Sequence, residues 1–251
     1  MTGLSQMVPV TSAERMVWQM ALELEDGCVV ATGVASPLAV LAIALAKATH
    51  APRLTYISCV GSLNPQVSRL MGSSEDLAYL TGRSGDVSIA ELFDHARCGR
   101  VDTVFFGAVE IDGHGRTNLS AAGPLAQPKV KFPGVVGACS LRRWCKKPII
   151  TVPRHTKRCL VAEVNIRSTI DDSRRTRLLT DAAVFSVGPG GAILEALVGS
   201  ATLADVQART GFPFAVAAHL AVIGDPPPAI RSVIHALDPE RYSAELVGAA
   251  A

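Results

Sequence analysis

Acidic side chains are absent from one long stretch of this sequence, residues 51–74. Within it, residues 56–65 read YISCVGSLNP, where apolar residues give way to glycine, asparagine and proline. The pattern predicts a buried strand that ends in a tight turn, with Cys59 at the junction. It also predicts that no carboxylate lies near Cys59, so that only a thiol and hydroxyl groups are available for chemistry there.

Charged and aromatic residues are scarce, at 18% and 5% of the 251 residues. A net charge of +2 gives no field that would favour nucleic acid as a partner. Hydrophobic residues make up 49%, which excludes global disorder. The longest apolar run, residues 28–46, is broken by Thr32, Gly33, Ser36 and Pro37, so no membrane span is expected. The first residues do not resemble a secretory signal, and a cytoplasmic protein is expected.

Metal-binding and disulfide patterns are also missing. The six cysteines, at positions 28, 59, 98, 139, 145 and 159, form no CxxC pair, and no cysteine–histidine cluster has zinc-site spacing. Reduced thiols are therefore expected. Neither a metal nor a cofactor is predicted.

Helical and strand patterns alternate along the chain. The spacing of apolar residues and the capping signals predict helices over residues 11–25, 38–47, 90–98, 140–146, 202–210 and 226–238. Strands are predicted over residues 28–32, 53–60, 101–111, 147–152, 159–166, 181–187 and 212–217. This alternation predicts one α/β domain over residues 1–251, with a mixed, mainly parallel sheet flanked by helices.

Three stretches carry candidate chemistry, each with a plainer reading. Gly134, Val135, Val136 and Gly137 could present backbone N–H groups to an oxyanion or could form an ordinary strand-to-helix corner. Residues 155–158 (HTKR) could bind a phosphate or carboxylate or could be solvated surface. Cys59 could be an inert small core residue, but its place after a parallel strand favours a site.

The order of several motifs resembles the β subunit of class I CoA-transferases, in particular the glutaconate CoA-transferase branch. The matching segments are VVATG (29–33), GAVEIDGHGRTN (107–118), PKVKFPGVVGA (128–138), HTKR (155–158), LTD (179–181), TGF (210–212) and LDP (237–239). The resemblance implies a CoA-transferase fold. It also implies a homologous α subunit as partner, in a heterodimer or an α2β2 heterotetramer.

A departure from the family pattern decides the expected function. In that family a glutamate at the end of this strand attacks the acyl-CoA and forms a glutamyl thioester. This strand offers only Ile57, Ser58 and Cys59. Relatives without the glutamate include a two-subunit decarboxylase that converts 3-methylglutaconyl-CoA to 3,3-dimethylacrylyl-CoA and a hydrolase that opens a steroid-derived ring.

The thiol favours the decarboxylase, with Cys59 as the candidate catalytic residue. The hydrolase, plain CoA transfer and a non-catalytic scaffold subunit stay as alternatives. Expected substrate contacts are Ser62, Asn64, Gly107, Asn118 and the residues of the 134–137 loop. Coenzyme A is expected only as part of the substrate.

Overall fold

The computed structural model describes residues 9–169 and 171–248; the ends of the predicted 1–251 domain lie outside this part. The helices are α1 (Ser12–Leu22), α2 (Pro37–Ala48), α3 (Ile89–Arg97), α4 (Ala138–Trp144), α5 (Leu203–Arg209), α6 (Pro228–Leu237) and α7 (Tyr242–Gly248), with a 3₁₀ turn at Leu77–Leu80. The strands are β1 (Val29–Thr32), β2 (Thr55–Ile57), β3 (Ser62–Leu63), β4 (Gly85–Asp86), β5 (Thr103–Gly107), β6 (Glu110–Ile111), β7 (Thr117–Asn118), β8 (Ala121–Ala122), β9 (Val130–Lys131), β10 (Lys147–Val152), β11 (Thr176–Thr180), β12 (Ala183–Val187), β13 (Ala192–Val198) and β14 (Phe214–Ile223).

A ten-stranded sheet organises the molecule, in the order β14-β13-β12-β11-β10-β5-β1-β2-β3-β4. Its five central strands, from β11 to β2, are all parallel. Antiparallel pairs flank them, β11 with β12 and β12 with β13 on one side, and β2 with β3 and β3 with β4 on the other. The predicted fold class, a mixed and mainly parallel sheet flanked by helices, is confirmed. Because the central strands are parallel, their carboxyl ends meet at one edge, where open α/β sheets place their sites.

Each face of the sheet has its own apolar core. Alternate strand residues such as Phe105 and Ile149 pack with α1, α2 and α6 on one face. Their neighbours Phe106 and Ile150 pack with α3, α4 and α5 on the other. Strands covered on both faces read as continuous apolar runs, which is why β5 and β10 are evident in the sequence. Among the described residues, no helix combines the length and apolar character needed to cross a bilayer.

Local capping explains where several helices begin. In α1 the side chain of Thr11 accepts from the Glu14 N–H group, and the Glu14 carboxylate accepts from the Thr11 N–H group in return. α2 begins with Pro37, as predicted, but Ser36 makes no side-chain capping bond. Its hydroxyl donates instead to the carbonyl oxygen of Val34, at 3.1 Å.

The predicted elements do not include β11, β13 or α7, and one predicted strand does not form. Residues 159–166 are not a strand, because the segment turns away after a single bridge between Leu160 and Ile111. The helix predicted to end near residue 238 is also not the last one, because α7 follows it. Asp238 accepts hydrogen bonds from the N–H groups of Tyr242 and Ser243, at 2.9 and 3.0 Å, and so starts a further helix, α7.

Candidate active site

Cys59 lies in a tight turn just after β2, at the carboxyl edge of the parallel strands. The turn is closed by the Gly61 N–H group, which donates to the Ser58 carbonyl oxygen at 3.0 Å. Gly61 has a φ of +82°, and a Cβ atom there would lie 2.8 Å from the carbonyl oxygen of Val87. Only glycine fits both requirements. The turn therefore fixes the backbone that carries the thiol, as the sequence pattern predicts.

The Cys59 thiol is half-buried and donates to the backbone carbonyl oxygen of Ser74, with an Sγ–O distance of 2.9 Å. Burial raises the pKa of the thiol. Contact with Ser74 opposes this rise, and the negative charge of Glu75 adds to it. A thiol in this setting is held in its neutral form, which suits a proton donor better than a nucleophile.

Glu75 corrects the prediction that no carboxylate lies near Cys59. It is the first acidic residue after the 51–74 stretch, and it follows the Ser74 carbonyl group that binds the thiol. Burial alone would raise the pKa of Glu75. Hydrogen bonds from the Ser73 side chain, the Ala35 N–H group and the Ser74 side chain outweigh it and hold the pKa below its usual value. The sequence signal was the GSSED turn, which two serines and an acidic residue make typical of side-chain-to-backbone bonding.

Ser62 and Asn64, two predicted substrate contacts, lie on the hairpin that follows Cys59. The Ser62 hydroxyl is fully buried and donates to the Tyr79 carbonyl oxygen at 2.7 Å. The Asn64 Oδ1 atom accepts from the Tyr56 N–H group and from Lys47 Nζ, at 2.9 and 3.1 Å. Ser62 therefore ties β3 to the 3₁₀ turn, and Asn64 holds the β2–β3 hairpin together. A contact to substrate stays a prediction for each.

Gly107 and Asn118 lie near the end of β5. Gly107 is exposed, with no atom within 4 Å of a Cβ placed on it. Asn118 is fully buried; its Nδ2 atom donates to Glu110 Oε2 and to the Ala121 carbonyl oxygen, at 2.9 and 2.8 Å. Gly107 thus leaves open space at the edge of the sheet, whereas Asn118 holds the segments around Glu110 and Ala121 together.

The 134–137 loop has the strained backbone expected of a functional segment. Val136 has a φ of +41°, which is rare for a β-branched residue, and its side chain is 78% exposed. The Gly134 N–H group donates to the Leu119 carbonyl oxygen at 2.9 Å. Within the described part of the chain, the N–H groups of Val135, Val136 and Gly137 donate to no other group. These N–H groups are candidate donors to an anion, and among the described residues no hydrogen bond joins this loop to Cys59.

Of residues 155–158, His155 is the most deeply buried. It is buried, its Nδ1 lies 2.9 Å from Thr180 Oγ1, and its Nε2 lies 2.8 Å from Thr210 Oγ1. Burial, helped by the charge of Arg209, lowers its pKa to about 4. His155 is therefore neutral at ordinary pH, while Lys157 and Arg158 are exposed.

The cavity beside His155 is a second feature of this edge. It has a volume of about 520 Å³ at the ends of β10 and β11, and its wall includes Arg154, Asp181 and Arg209. Its wall also includes His155 and Thr156, from the stretch that could bind a phosphate or carboxylate, but, within the described ranges, neither Cys59 nor any predicted substrate contact. No group of three or more histidine, cysteine or acidic side chains within the described ranges is arranged to hold a metal ion.

Comparison with known proteins gives a family and a similar solved structure. The sequence model of the family described as Coenzyme A transferase matches residues 13–198. A chain of the decarboxylase AibA/AibB is 52% identical, with a TM-score of 0.92 over 96% of this chain and 100% of that one. Structures of the same decarboxylase with one cysteine replaced by serine, valine, asparagine or alanine match equally well.

Two more distant matches are transferases. Glutaconate coenzyme A-transferase from Acidaminococcus fermentans is 20% identical, with a TM-score of 0.83 over 93% of this chain and 97% of that chain, and it shares the fold. One of the subunits of the 3-oxoadipate CoA-transferase of Pseudomonas knackmussii is 29% identical over 138 residues, 55% of this chain. The match spans about half of that relative, 52% of its length.

Proposed function

This chain belongs to the coenzyme A transferase family, as its motifs predict, and we propose that it is one subunit of a heteromeric acyl-CoA decarboxylase. The proposed substrate is 3-methylglutaconyl-CoA and the product 3,3-dimethylacrylyl-CoA. One observation carries the proposal. A neutral thiol, Cys59, lies at the strand end where the resemblance places a catalytic glutamate, and its S–H group is bonded to a backbone carbonyl oxygen. The 52% identity to a decarboxylase supports the choice of reaction.

The reaction needs no covalent intermediate. The free carboxylate of 3-methylglutaconyl-CoA stands on the carbon next to the double bond. When that C–C bond breaks, its electron pair moves into a dienolate conjugated with the thioester, and CO₂ leaves. The Cys59 S–H proton then goes to the terminal carbon, and the thiolate regains a proton from water. The thioester bond is not broken at any step.

Two features of the chain would lower the barrier. The half-buried surroundings of Cys59 would disfavour a charged carboxylate relative to the delocalised dienolate. The N–H groups of Val135, Val136 and Gly137 would stabilise the developing thioester oxyanion. Coenzyme A enters only as part of the substrate, and neither a metal nor another cofactor takes part in the proposed mechanism.

We propose a homologous α subunit as the partner, in a heterodimer or an α2β2 heterotetramer. The matching decarboxylase carries two chain names, and the matching 3-oxoadipate transferase chain is named as one subunit of its enzyme, which supports a two-chain enzyme. The residues that complete the pocket would then come in part from that partner.

A product assay on the co-expressed complex tests the proposal. The complex receives 3-methylglutaconyl-CoA with excess acetate, and mass spectrometry follows the CoA esters. Decarboxylation gives 3,3-dimethylacrylyl-CoA and CO₂. Acetyl-CoA would indicate transfer, and free CoA would indicate hydrolysis; either as the main product would contradict the proposal. Turnover that survives replacement of every predicted site residue on this chain would indicate a scaffold subunit.

A further inference from the structure

A compact turn at residues 73–75 connects the ends of two parallel strands. The Glu75 Oε1 atom accepts from the Ala35 N–H group at 2.6 Å, in the loop after β1. The Ser74 hydroxyl accepts from the Ser36 N–H group at 3.1 Å. The Ser74 carbonyl oxygen accepts from Cys59, in the turn after β2. The turn thus ties the β1 loop to the thiol.

Glu75 is the centre of this arrangement. Its carboxylate also accepts from the hydroxyls of Ser73 and Ser74, and its own N–H group donates to Ser73 Oγ at 3.2 Å. Ala35 has a φ of +53°, a conformation that is costly for alanine and that its bond to Glu75 helps to hold. Loss of the carboxylate would therefore loosen both the β1 loop and the carbonyl group that orients the thiol.

We infer that Glu75 is a positioning residue, which holds Cys59 as a neutral, proton-donating thiol through the turn at Ser73 and Ser74. The inference rests on the proposed function in assigning Cys59 the role of acid. Two observations carry the inference: a hydrogen bond made by the thiol and a negative charge close to it. The thiol must be protonated to donate to the Ser74 carbonyl oxygen, and a negative charge next to that carbonyl group disfavours a thiolate.

The other titratable groups around Cys59 carry no charge that would change the pKa of the thiol. Tyr56 and Tyr79 face the thiol from β2 and from the 3₁₀ turn. The Tyr56 hydroxyl is bonded to Thr32 Oγ1 at 2.9 Å, and the Tyr79 hydroxyl accepts from the Met71 N–H group at 2.8 Å. Burial raises the pKa of both tyrosines, so both are neutral at ordinary pH. Among the described residues, Glu75 is then the charged group that acts on the thiol.

Glu75→Gln tests the inference, because glutamine keeps one oxygen acceptor for Ala35 while it removes the negative charge. In the co-expressed complex, alkylation of Cys59 by iodoacetamide is followed against pH by peptide-resolved mass spectrometry. We expect alkylation at neutral pH to be about threefold faster in Glu75→Gln, because less of the thiol stays protonated. The loss of turnover at high pH should also move to lower pH in Glu75→Gln, because the thiol then loses its proton more easily. Asp94→Asn is the control, since it makes the same charge change on an exposed residue of α3.

A salt series on the unmodified complex covers the case in which Glu75→Gln does not assemble. Because Glu75 is exposed, about 1 M salt should screen its charge and speed alkylation of Cys59. An alkylation profile that neither Glu75→Gln nor salt alters would overturn the inference, even if the complex releases CO₂. A shifted profile in a complex that forms no CO₂ would support the inference about the thiol and contradict the proposed function.

Discussion

Under the proposed function, Cys59 lies where the family resemblance places a carboxylate, and its role is to donate one proton. The thiol donates to the Ser74 carbonyl oxygen and is half-buried. If it is the acid that protonates the dienolate, Cys59→Ala should lower kcat about 100-fold with a smaller change in KM. Steady-state kinetics on the purified complex measures this.

Cys59→Ser is the matched control for shape. A hydroxyl fills nearly the same space but is a far weaker acid than a thiol, so Cys59→Ser should be impaired almost as strongly as Cys59→Ala. A loss of less than about tenfold in both variants would instead indicate that Cys59 only packs the pocket.

Burial of His155 should make the folded chain less stable in acid. Burial lowers its pKa to about 4, against 6.5 for an exposed histidine, so the unfolded chain binds a proton that the folded chain does not. Stability is therefore lost as the pH falls from about 6.5 towards 4, by about 2 kcal/mol between pH 7 and pH 5. Urea denaturation at both values measures it. His155→Gln should remove this part of the loss, whereas His219→Gln, on exposed β14, should not.

At the scale of residues, the sequence predicts Cys59 as a candidate and the turn that carries it, but not the residues that surround the thiol. The turn at Gly61 follows from local chemistry, which a short segment displays. The Glu75 contact joins residues 40 positions apart, so no local pattern indicates it. Asn64 and Asn118 are predicted as substrate contacts because an asparagine in a turn suits that role. Structural bonding of the same side chain gives the same sequence signal.

At the scale of elements, the corner before α4 couples the candidate oxyanion site to the core. A Cβ atom on Gly137 would lie 2.3 Å from Phe93 Cζ, and the Phe93 ring packs edge-on against Trp144 at 6.1 Å. Gly137→Ala must therefore displace the ring or the loop. We expect kcat to fall about tenfold or more while the complex still assembles, because the N–H donors lose their alignment.

Two variants separate crowding at Gly137 from other effects. Phe93→Leu added to Gly137→Ala makes room for the new methyl group and should recover part of the activity, which a double-mutant cycle would show as coupling. Gly224→Ala is the control, since a Cβ atom there meets nothing within 4 Å. Equal losses in the single and double variants would contradict the proposed crowding.

The exposed edge strand β14 is expected to make the isolated chain prone to aggregation. It is a ten-residue edge strand without acidic, lysine or arginine residues, and Val222 is 66% exposed. Long apolar edge strands promote association. Val222→Lys should raise the concentration at which the isolated chain aggregates by about threefold. Light scattering measures this, and the same change at Leu77, which is 73% exposed in the 3₁₀ turn, should have a smaller effect.

Element prediction succeeds where the signal is local and fails where it is not. The capping boxes at Thr11 and Thr202 and the apolar runs of β5 and β10 are visible in the sequence. α7 is missed because Asp238 followed by a proline is typical of a helix end, although its carboxylate also caps the next helix. The 159–166 segment has strand-like composition at its start but makes only one bridge, which composition does not reveal.

At the scale of the whole molecule, the fold and family follow from the order of the motifs, while the arrangement of the site does not. Alternation of helices and strands predicts a parallel sheet and therefore a common edge for Cys59 and Gly107. It does not predict that a 520 Å³ cavity opens at the ends of β10 and β11, away from the thiol. That cavity depends on side chains from α1, α5 and α7.

The central claim is that the thioester bond of the substrate stays intact during turnover. The most direct test supplies the complex with unlabelled 3-methylglutaconyl-CoA and an excess of isotopically heavy free coenzyme A, and then weighs the CoA ester that forms. An acyl-enzyme route that releases coenzyme A to solution admits the heavy form. We predict a product that carries only the original, light coenzyme A. Heavy coenzyme A in the product would contradict the proposed mechanism.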